Sequence, residues 1–294
     1  MAFPWVAYYI VVSGKQTYFH DKAVLITGAS SGIGEELARQ LGFQGAKLTL
    51  TARRRELLED LAQKILAQGG AQPVVAECDV TRDGDLERAV AATLQRWGKL
   101  DVVIANAGFG VTGALSQLSL EDYRRQFETN VFGVLRTIYA ALPEIEKSKG
   151  RIAIIGSVSG WAASPGASAY AMSKFAVRAL ANSITPELQR AGVTVTLISP
   201  GFVDSNIRRV DNQGKFHSKA KDSVPAWLVM STDKAASQML DAIARGKREA
   251  IITGHGKALV ALERFMPWII RAAGQTLAGR GGYRSEPGPR EARR

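Results

Sequence analysis

The 294-residue chain is 46% hydrophobic, enough for one large α/β domain or two small ones, and with no composition break before its tail one domain is expected. Its formal net charge of +11 invites an anionic partner, but there is no nucleic-acid motif and no Lys/Arg run interleaved with aromatics, so a solvated basic surface is expected and nucleic acid is not. The single cysteine, Cys78, excludes an intrachain disulfide and fits a reducing compartment, and with His20, His217 and His255 scattered no metal site is expected.

The chain opens on MAFPWVAYYIVVSGK, apolar from Met1 to Val12. That run is too short to span a bilayer and lacks a basic n-region and a small-residue cleavage site. Residues 1–20 are expected to form an extension that lies on a membrane, folds back on the core or continues a longer anchor. AVLIT then reads as a strand. A helix follows from Ile33 with Leu37 and Leu41 on one face, and Gly45 as its stop. KLTLT is a second strand, and Arg54–Gln68 an amphipathic helix carrying Leu57, Leu58, Leu61 and Ile65. PVVAECDV is a third strand, and Asp83–Trp97 a helix with Leu86, Val90 and Leu94. DVVIANAG, RIAIIGSV, VTVTLISP and EAIITG complete seven strands. Near-continuous apolar strands alternating with helices predict a doubly wound parallel sheet covered on both faces, with ligands beyond the carboxyl ends of the strands.

Gly28, Gly32 and Gly34 lie where the first strand turns into a helix, in TGASSGIG. Such a turn gathers free backbone N–H groups and the positive helix end, a site suited to pyrophosphate. Glu35 and Glu36 after Gly34 exclude a P-loop, which needs Gly-Lys-Ser/Thr there. The G-x-x-x-G-x-G spacing resembles the short-chain dehydrogenase/reductase family. The resemblance runs from about Lys22 to Ile207, more loosely to Gly254, and continues through CDV, NAG, TNVFG, GSVSG, YAMSK and PGFVDS.

The resemblance implies a single Rossmann-like domain over 21–254. It implies a nicotinamide dinucleotide held by Gly28, Ser30, Ser31, Gly32, Ile33, Gly34, Arg53, Asp79, Val80, Asn106, Ala107 and Gly108. Tyr170, Lys174, Pro200, Gly201, Val203 and Ser205 complete that set. It assigns catalysis to Asn130, Ser157, Tyr170 and Lys174. NAD enzymes usually place an acid after the second strand to hold the ribose 2′-hydroxyl. Here Ala52 takes that position and Arg53 follows, so NADP(H) is expected over NAD(H), with a 2′-phosphate on Arg53. Arg54 is a second candidate contact, and Ser30 or Ser31 a hydroxyl contact.

Tyr170 and Lys174 are four apart, on one helix face. A neighbouring ammonium and the nicotinamide ring are expected to lower the tyrosine pKa, which makes Tyr170 the general acid or base. Ser157 would hydrogen-bond the substrate oxygen, and Asn130 would hold a water linking Lys174 to solvent. Substrate identity lies mainly between Val203 and Thr232, a stretch expected to be a mobile lid or substrate loop. Phe202, Val224, Pro225, Trp227, Leu228 and Met230 are candidates for an apolar pocket there, with core packing as the alternative for each.

Residues 255–278 form an apolar extension, dense in KALVALERFMPWIIRAAG, flanked by Lys257, Arg264 and Arg271 and interrupted by Pro267. Core packing or dimerisation is expected ahead of peripheral contact with an anionic membrane. Residues 279–294, with five arginines against two glutamates in GRGGYRSEPGPREARR, are expected to be a disordered basic tail. The function expected is therefore a cytoplasmic, homo-oligomeric (dimeric or tetrameric) NADP(H)-dependent carbonyl/alcohol oxidoreductase acting on a small molecule. The extension suggests a lipid-like or steroid-like substrate by analogy with 3-ketosphinganine reductases and hydroxysteroid dehydrogenases, and a broad-range carbonyl reductase fits equally well. A catalytically silent NADP(H)-binding regulator or scaffold is the alternative. The presence of Asn130, Ser157, Tyr170 and Lys174 together argues against it.

Overall fold

The computed structural model describes residues 18–205, 207, 211–212 and 224–280, with side chains to 276. Residues 1–17 of the expected extension, residues 281–294 of the expected tail, His217 and half of the anticipated lid lie outside the described residues. The seven strands are β1 Ala23–Thr27, β2 Lys47–Ala52, β3 Val74–Glu77, β4 Val102–Ala105, β5 Arg151–Ile155, β6 Thr194–Pro200 and β7 Glu249–Ile252. Among the described residues they form the expected seven-stranded parallel sheet, and its strand order is β3-β2-β1-β4-β5-β6-β7. Strand order reverses between β1 and β4, and a crevice opens at such a switch point.

The helices are α1 Gly32–Phe43, α2 Arg55–Ala67, α3 Asp85–Trp97, α4 Leu120–Phe127, α5 Gly133–Lys147, α6 Ser168–Gln189, α7 Thr232–Ala244, α8 Gly254–Phe265 and α9 Pro267–Arg280. Alternate strand residues send side chains to opposite faces. Val24, Ile26, Leu48, Leu50 and Ile104 pack against α1, α2 and α7. Leu25, Val103, Ile152, Ile154 and Leu197 pack against α3, α5 and α6. Phe19 is buried in the first of these cores, so the core begins just ahead of the expected boundary at 21.

Two strands, β3 and β4, stop short of the apolar run that announced them where side chains capture backbone donors beyond their ends. Cys78 N–H still donates to Ala52 C=O at 3.0 Å, but Asp79 N–H turns to the Asp85 carboxylate at 2.8 Å and β3 ends. After β4, the N–H groups of Asn106 and Ala107 go to Thr27 Oγ1 at 3.0 and 3.1 Å. The C-terminal apolar segment is two helices, because Pro267 cannot continue the first. Val260 of α8 is buried, whereas Phe265 and Trp268 are exposed. Among the described residues no helix is long and apolar enough to cross a membrane.

At the opposite end of the sheet from the crevice, buried Asp101 ties the strands together. Its carboxylate accepts from Ala23 N–H at 2.9 Å, and Lys22 and Lys99 lie 3.1 and 3.0 Å away. Burial alone would raise its pKa, but the Ala23 amide and the two ammonium groups hold it below the usual carboxylate value. That stabilisation is present above the carboxylate range and is lost as pH falls through it. Asp101→Asn should cost about 1–3 kcal/mol in thermal or urea unfolding at neutral pH, and the gap between variant and parent should close on acidification.

Candidate active site

β1 ends at Thr27, and the chain passes through Gly28 (φ +68°) and Gly32 (φ +59°) into α1. These values lie in the left-handed region that only glycine adopts freely. A Cβ on Gly34 would sit 2.3 Å from Gly28 O and 2.5 Å from Asn106 Nδ2, so no other residue fits without displacement. Asn106 Nδ2 donates to the carbonyls of Thr27 at 2.9 Å and Gly28 at 3.2 Å. The turns after β1 and β4 are thus pinned together with no side chain between them. Ser31, at the N-cap of α1, makes no side-chain cap bond, which leaves the first helical N–H groups without a side-chain acceptor from it. Bare backbone at a helix N-terminus fits a pyrophosphate.

At the end of β2 the small, buried Ala52 stands at the cleft wall. Arg54 Nη2 donates to Ser30 Oγ and Ser31 Oγ, both at 3.0 Å. Arg53 is exposed on the same wall and, among the described residues, has no hydrogen-bond or ion-pair partner. Both guanidiniums therefore present donors to the cleft, and the better organised of the two is Arg54. Asp79 sits across the rim, with Oδ1 accepting from Thr81 N at 3.0 Å and Thr81 Oγ1 at 2.8 Å.

Farther along the cleft, α6 carries Tyr170 and Lys174 on one face. The Ser157 side chain stands close enough to the Tyr170 hydroxyl to favour its phenolate, and both residues line the cleft. Lys174 Nζ lies 5.7 Å from the Tyr170 ring centre and donates to Ile155 C=O at 2.8 Å. Ser157 Oγ accepts from Ser159 N–H at 3.0 Å, which caps the 3₁₀ turn Val158–Gly160. Gly160 allows that turn to press on α6, since a Cβ there would sit 2.7 Å from Lys174 O. Burial raises the Tyr170 pKa, with the Ser157 side chain only partly opposing it. Burial also lowers Lys174 to about 8. The expected lowering of the tyrosine is therefore corrected in this structure: desolvation of the phenolate is the dominant effect, and it acts upward.

Of the residues expected at the site, all but Asn130 line one cleft of about 690 Å³. That is Gly28, Ser30, Ser31, Gly32, Ile33, Gly34, Arg53, Asp79, Val80, Asn106, Ala107, Gly108, Ser157, Tyr170, Lys174, Pro200, Gly201, Val203 and Ser205. Asn130 is buried behind the wall, in a π-helical turn over Glu128–Phe132 that joins α4 to α5. Its Oδ1 accepts from Phe109 N–H at 3.1 Å, and its Nδ2 donates to Phe109 C=O at 3.0 Å and Ser173 Oγ at 3.2 Å. Gln126, fully buried one turn earlier, also donates to Phe109 C=O, at 2.9 Å.

No motif marked Gln126 or Phe109, which lines the cleft; their roles depend on a turn that only the fold assembles. None of Phe202, Val224, Pro225, Trp227, Leu228 and Met230, candidates for an apolar pocket or for core packing, lines this cleft. Trp227 is 83% exposed, and Met230 pairs with Val203 in an isolated parallel bridge. Cys78 lines the cleft, but burial pushes its thiol up to about 12, so it is no nucleophile at neutral pH.

The short chain dehydrogenase family matches this chain over residues 22–215. Dehydrogenase/reductase SDR family member 7B of Mus musculus is 32% identical over 245 residues, covering 81% of this chain and 75% of that protein. The 11-beta-hydroxysteroid dehydrogenase A of Sesamum indicum is 32% identical over 237 residues, covering 77% of this chain and 67% of its own. Among solved structures, a short chain dehydrogenase/reductase from Burkholderia phymatum in complex with NAD shares the fold, with TM-score 0.75 and 24% identity over 84% of this chain and 94% of that one.

Gly34→Ala should destabilise the protein by about 1–3 kcal/mol, because its methyl group meets backbone at Gly28. The check is thermal unfolding beside Gly274→Ala, where nothing lies within 4 Å of an added Cβ and no comparable loss is expected.

Proposed function

This chain belongs to the short-chain dehydrogenase/reductase family of oxidoreductases, and on that premise we propose that it interconverts a ketone or aldehyde with the corresponding alcohol, using NADP(H) in preference to NAD(H). The observation that carries the reading is the gathering of Ser157, Tyr170 and Lys174 in one cleft, with Lys174 one helical turn from Tyr170 and its Nζ 5.7 Å from the ring centre. Tyr170 is the general acid for reduction and the general base for oxidation. Burial raises its pKa, so it holds its proton at neutral pH and can donate it to a carbonyl oxygen. Ser157 donates a hydrogen bond, not its proton, to the same oxygen as negative charge develops there. Lys174 is fixed by the Ile155 carbonyl and binds the ribose beside it. The nucleotide supplies the hydride when bound. Asn130 acts through Phe109, whose backbone it clamps to keep the wall facing Tyr170 in place.

The preference for NADP(H) rests on Arg53, Arg54, Ser30 and Ser31, which gather donors where an acid would otherwise repel a 2′-phosphate. An apolar, lipid-like carbonyl is the substrate class favoured, supported by Phe109, Val203 and Ile207 along the cleft and by the similarity to a protein named as a hydroxysteroid dehydrogenase. Exposed Phe132, Tyr139, Met172 and Phe175, on the π-helical turn, α5 and α6, suit contact with a second copy of the chain.

Two measurements test this reading. Against a panel of carbonyls from small aldehydes to steroid and long-chain keto lipids, Tyr170→Phe should lower NADPH-dependent turnover by about 10²-fold or more with NADPH affinity largely unchanged. Turnover by the variant equal to that of the parent would refute the role of Tyr170. The double variant Arg53→Ala/Arg54→Ala should weaken NADPH binding on the order of tenfold to a hundredfold and leave NADH binding nearly as it was. An equal loss for both nucleotides would remove the arginines from the 2′-phosphate site.

A further inference from the structure

Beyond β6 the chain continues as Gly201–Ser205 along the cleft, and its backbone is held from two sides. Gly201 N–H donates to Ile252 C=O of β7 at 3.2 Å. Met230 N–H donates to Phe202 C=O, and Asp204 N–H donates to Met230 C=O, each at 2.9 Å. One donor of this segment goes to a side chain instead: Phe202 N–H donates to His255 Nε2 at 2.9 Å. The two rings stack, with centres 5.4 Å apart and planes at 24°. A Cβ on Gly201 would lie 2.4 Å from His255 Nε2 and 2.3 Å from Thr253 Oγ1, so glycine there is what lets the imidazole reach the segment. Thr253, buried with φ +87°, places His255 in the first turn of α8 and caps that helix through Gly256 N–H at 3.1 Å. A β-branched residue in that backbone region is strained and persists where its surroundings enforce it.

A ring nitrogen that accepts from an amide carries no proton, so the proton of neutral His255 is on Nδ1. Thr253 Oγ1, at 3.1 Å, then points its own proton at Nε2. Protonating Nε2 would set two donors against each other and break the contact. We propose that His255 is a positioning residue that latches the Gly201–Ser205 segment over the cleft through the Phe202 amide, and that the latch holds only while its imidazole is neutral. Nothing in the sequence motifs marked this residue. Its link to nucleotide binding rests on the cofactor reading above; the latch itself does not.

Burial lowers the affinity of His255 for a proton, so it is neutral through the physiological range. The charged groups on the surrounding elements are Asp204 in the segment, Glu249 on β7, Lys174, Arg178 and Glu187 on α6, and Lys257, Glu263 and Arg264 on α8. Glu249 faces Arg178, at 3.9 Å. Among the described residues the hydrogen-bond partners of the His255 ring are Phe202 N–H and Thr253 Oγ1.

The test uses the full chain, with His255→Gln, which keeps an acceptor that does not titrate, and His255→Phe, which keeps the stacked ring without an acceptor. NADPH dissociation constants would be measured by fluorescence titration at pH about 8 and about 5, either side of the ordinary histidine pKa. The parent should match His255→Gln at the higher pH and bind about five- to tenfold more weakly than it at the lower pH, a comparison that cancels protonation of the nucleotide's own 2′-phosphate, and His255→Phe should be weaker than both at the higher pH. In parallel, ¹⁵N NMR of the imidazoles should show Nδ1–H for the signal that vanishes in His255→Gln. An Nε2–H tautomer, a parental pH response in His255→Gln, or parental affinity in His255→Phe at the higher pH would each overturn the latch. If the parent binds no NADPH at any pH, the cofactor reading fails, and the tautomer alone then decides the latch.

Discussion

The amide of Asn106 holds together the two turns on which the site depends. Through Nδ2 it bonds the carbonyls of Thr27 and Gly28, and its backbone N–H returns to Thr27 Oγ1. The loops after β1 and β4 are thereby locked where strand order reverses. Gly34 completes the arrangement, because any Cβ there would collide with Gly28 and with the Asn106 amide itself. The result is a crevice floor of naked backbone at a helix N-terminus, with charge supplied from the rim. A parallel sheet alone would give a crevice; this lock makes it one in which an anion can touch the main chain.

The other half of the cleft works by exclusion of water. Lys174 is 6% exposed, and its pKa falls to about 8, while Tyr170 is pushed the other way. The same low-dielectric wall that disfavours both charges also strengthens any hydrogen bond to an oxygen developing charge beside them. Holding that wall in place takes buried amides: Gln126 and Asn130 clamp the Phe109 backbone much as a neighbouring strand would. Across the cleft His255 does the same for Phe202. The difference is that an imidazole titrates and an amide does not.

Much of this was legible because chemistry sat directly after strands. The run AVLIT matched β1 residue for residue, and every glycine, serine and tyrosine expected at the site came to one cleft. Strand ends were less legible, since Asp79 and Asn106 leave the sheet through side-chain partners far from what apolar patterning reports. Asn130 could be identified but not placed, because a π-helical turn has no distinctive sequence pattern. The bonds of Arg54 to Ser30 and Ser31 were not legible in sequence, since they span the β1 and β2 turns. His255 looked isolated in sequence because its partner is 53 residues away. Trp227 read as pocket lining from its type, yet it faces solvent.

The central claim is that the crevice between β1 and β4 is built for a phosphorylated nicotinamide dinucleotide. Calorimetric titration of the unmodified protein with NADPH and with NADH, at fixed salt, tests it most directly. The account predicts a single site that takes NADPH on the order of tenfold more tightly than NADH, with the advantage shrinking as salt is raised. Equal or tighter binding of NADH, or no saturable binding of either nucleotide, would contradict it.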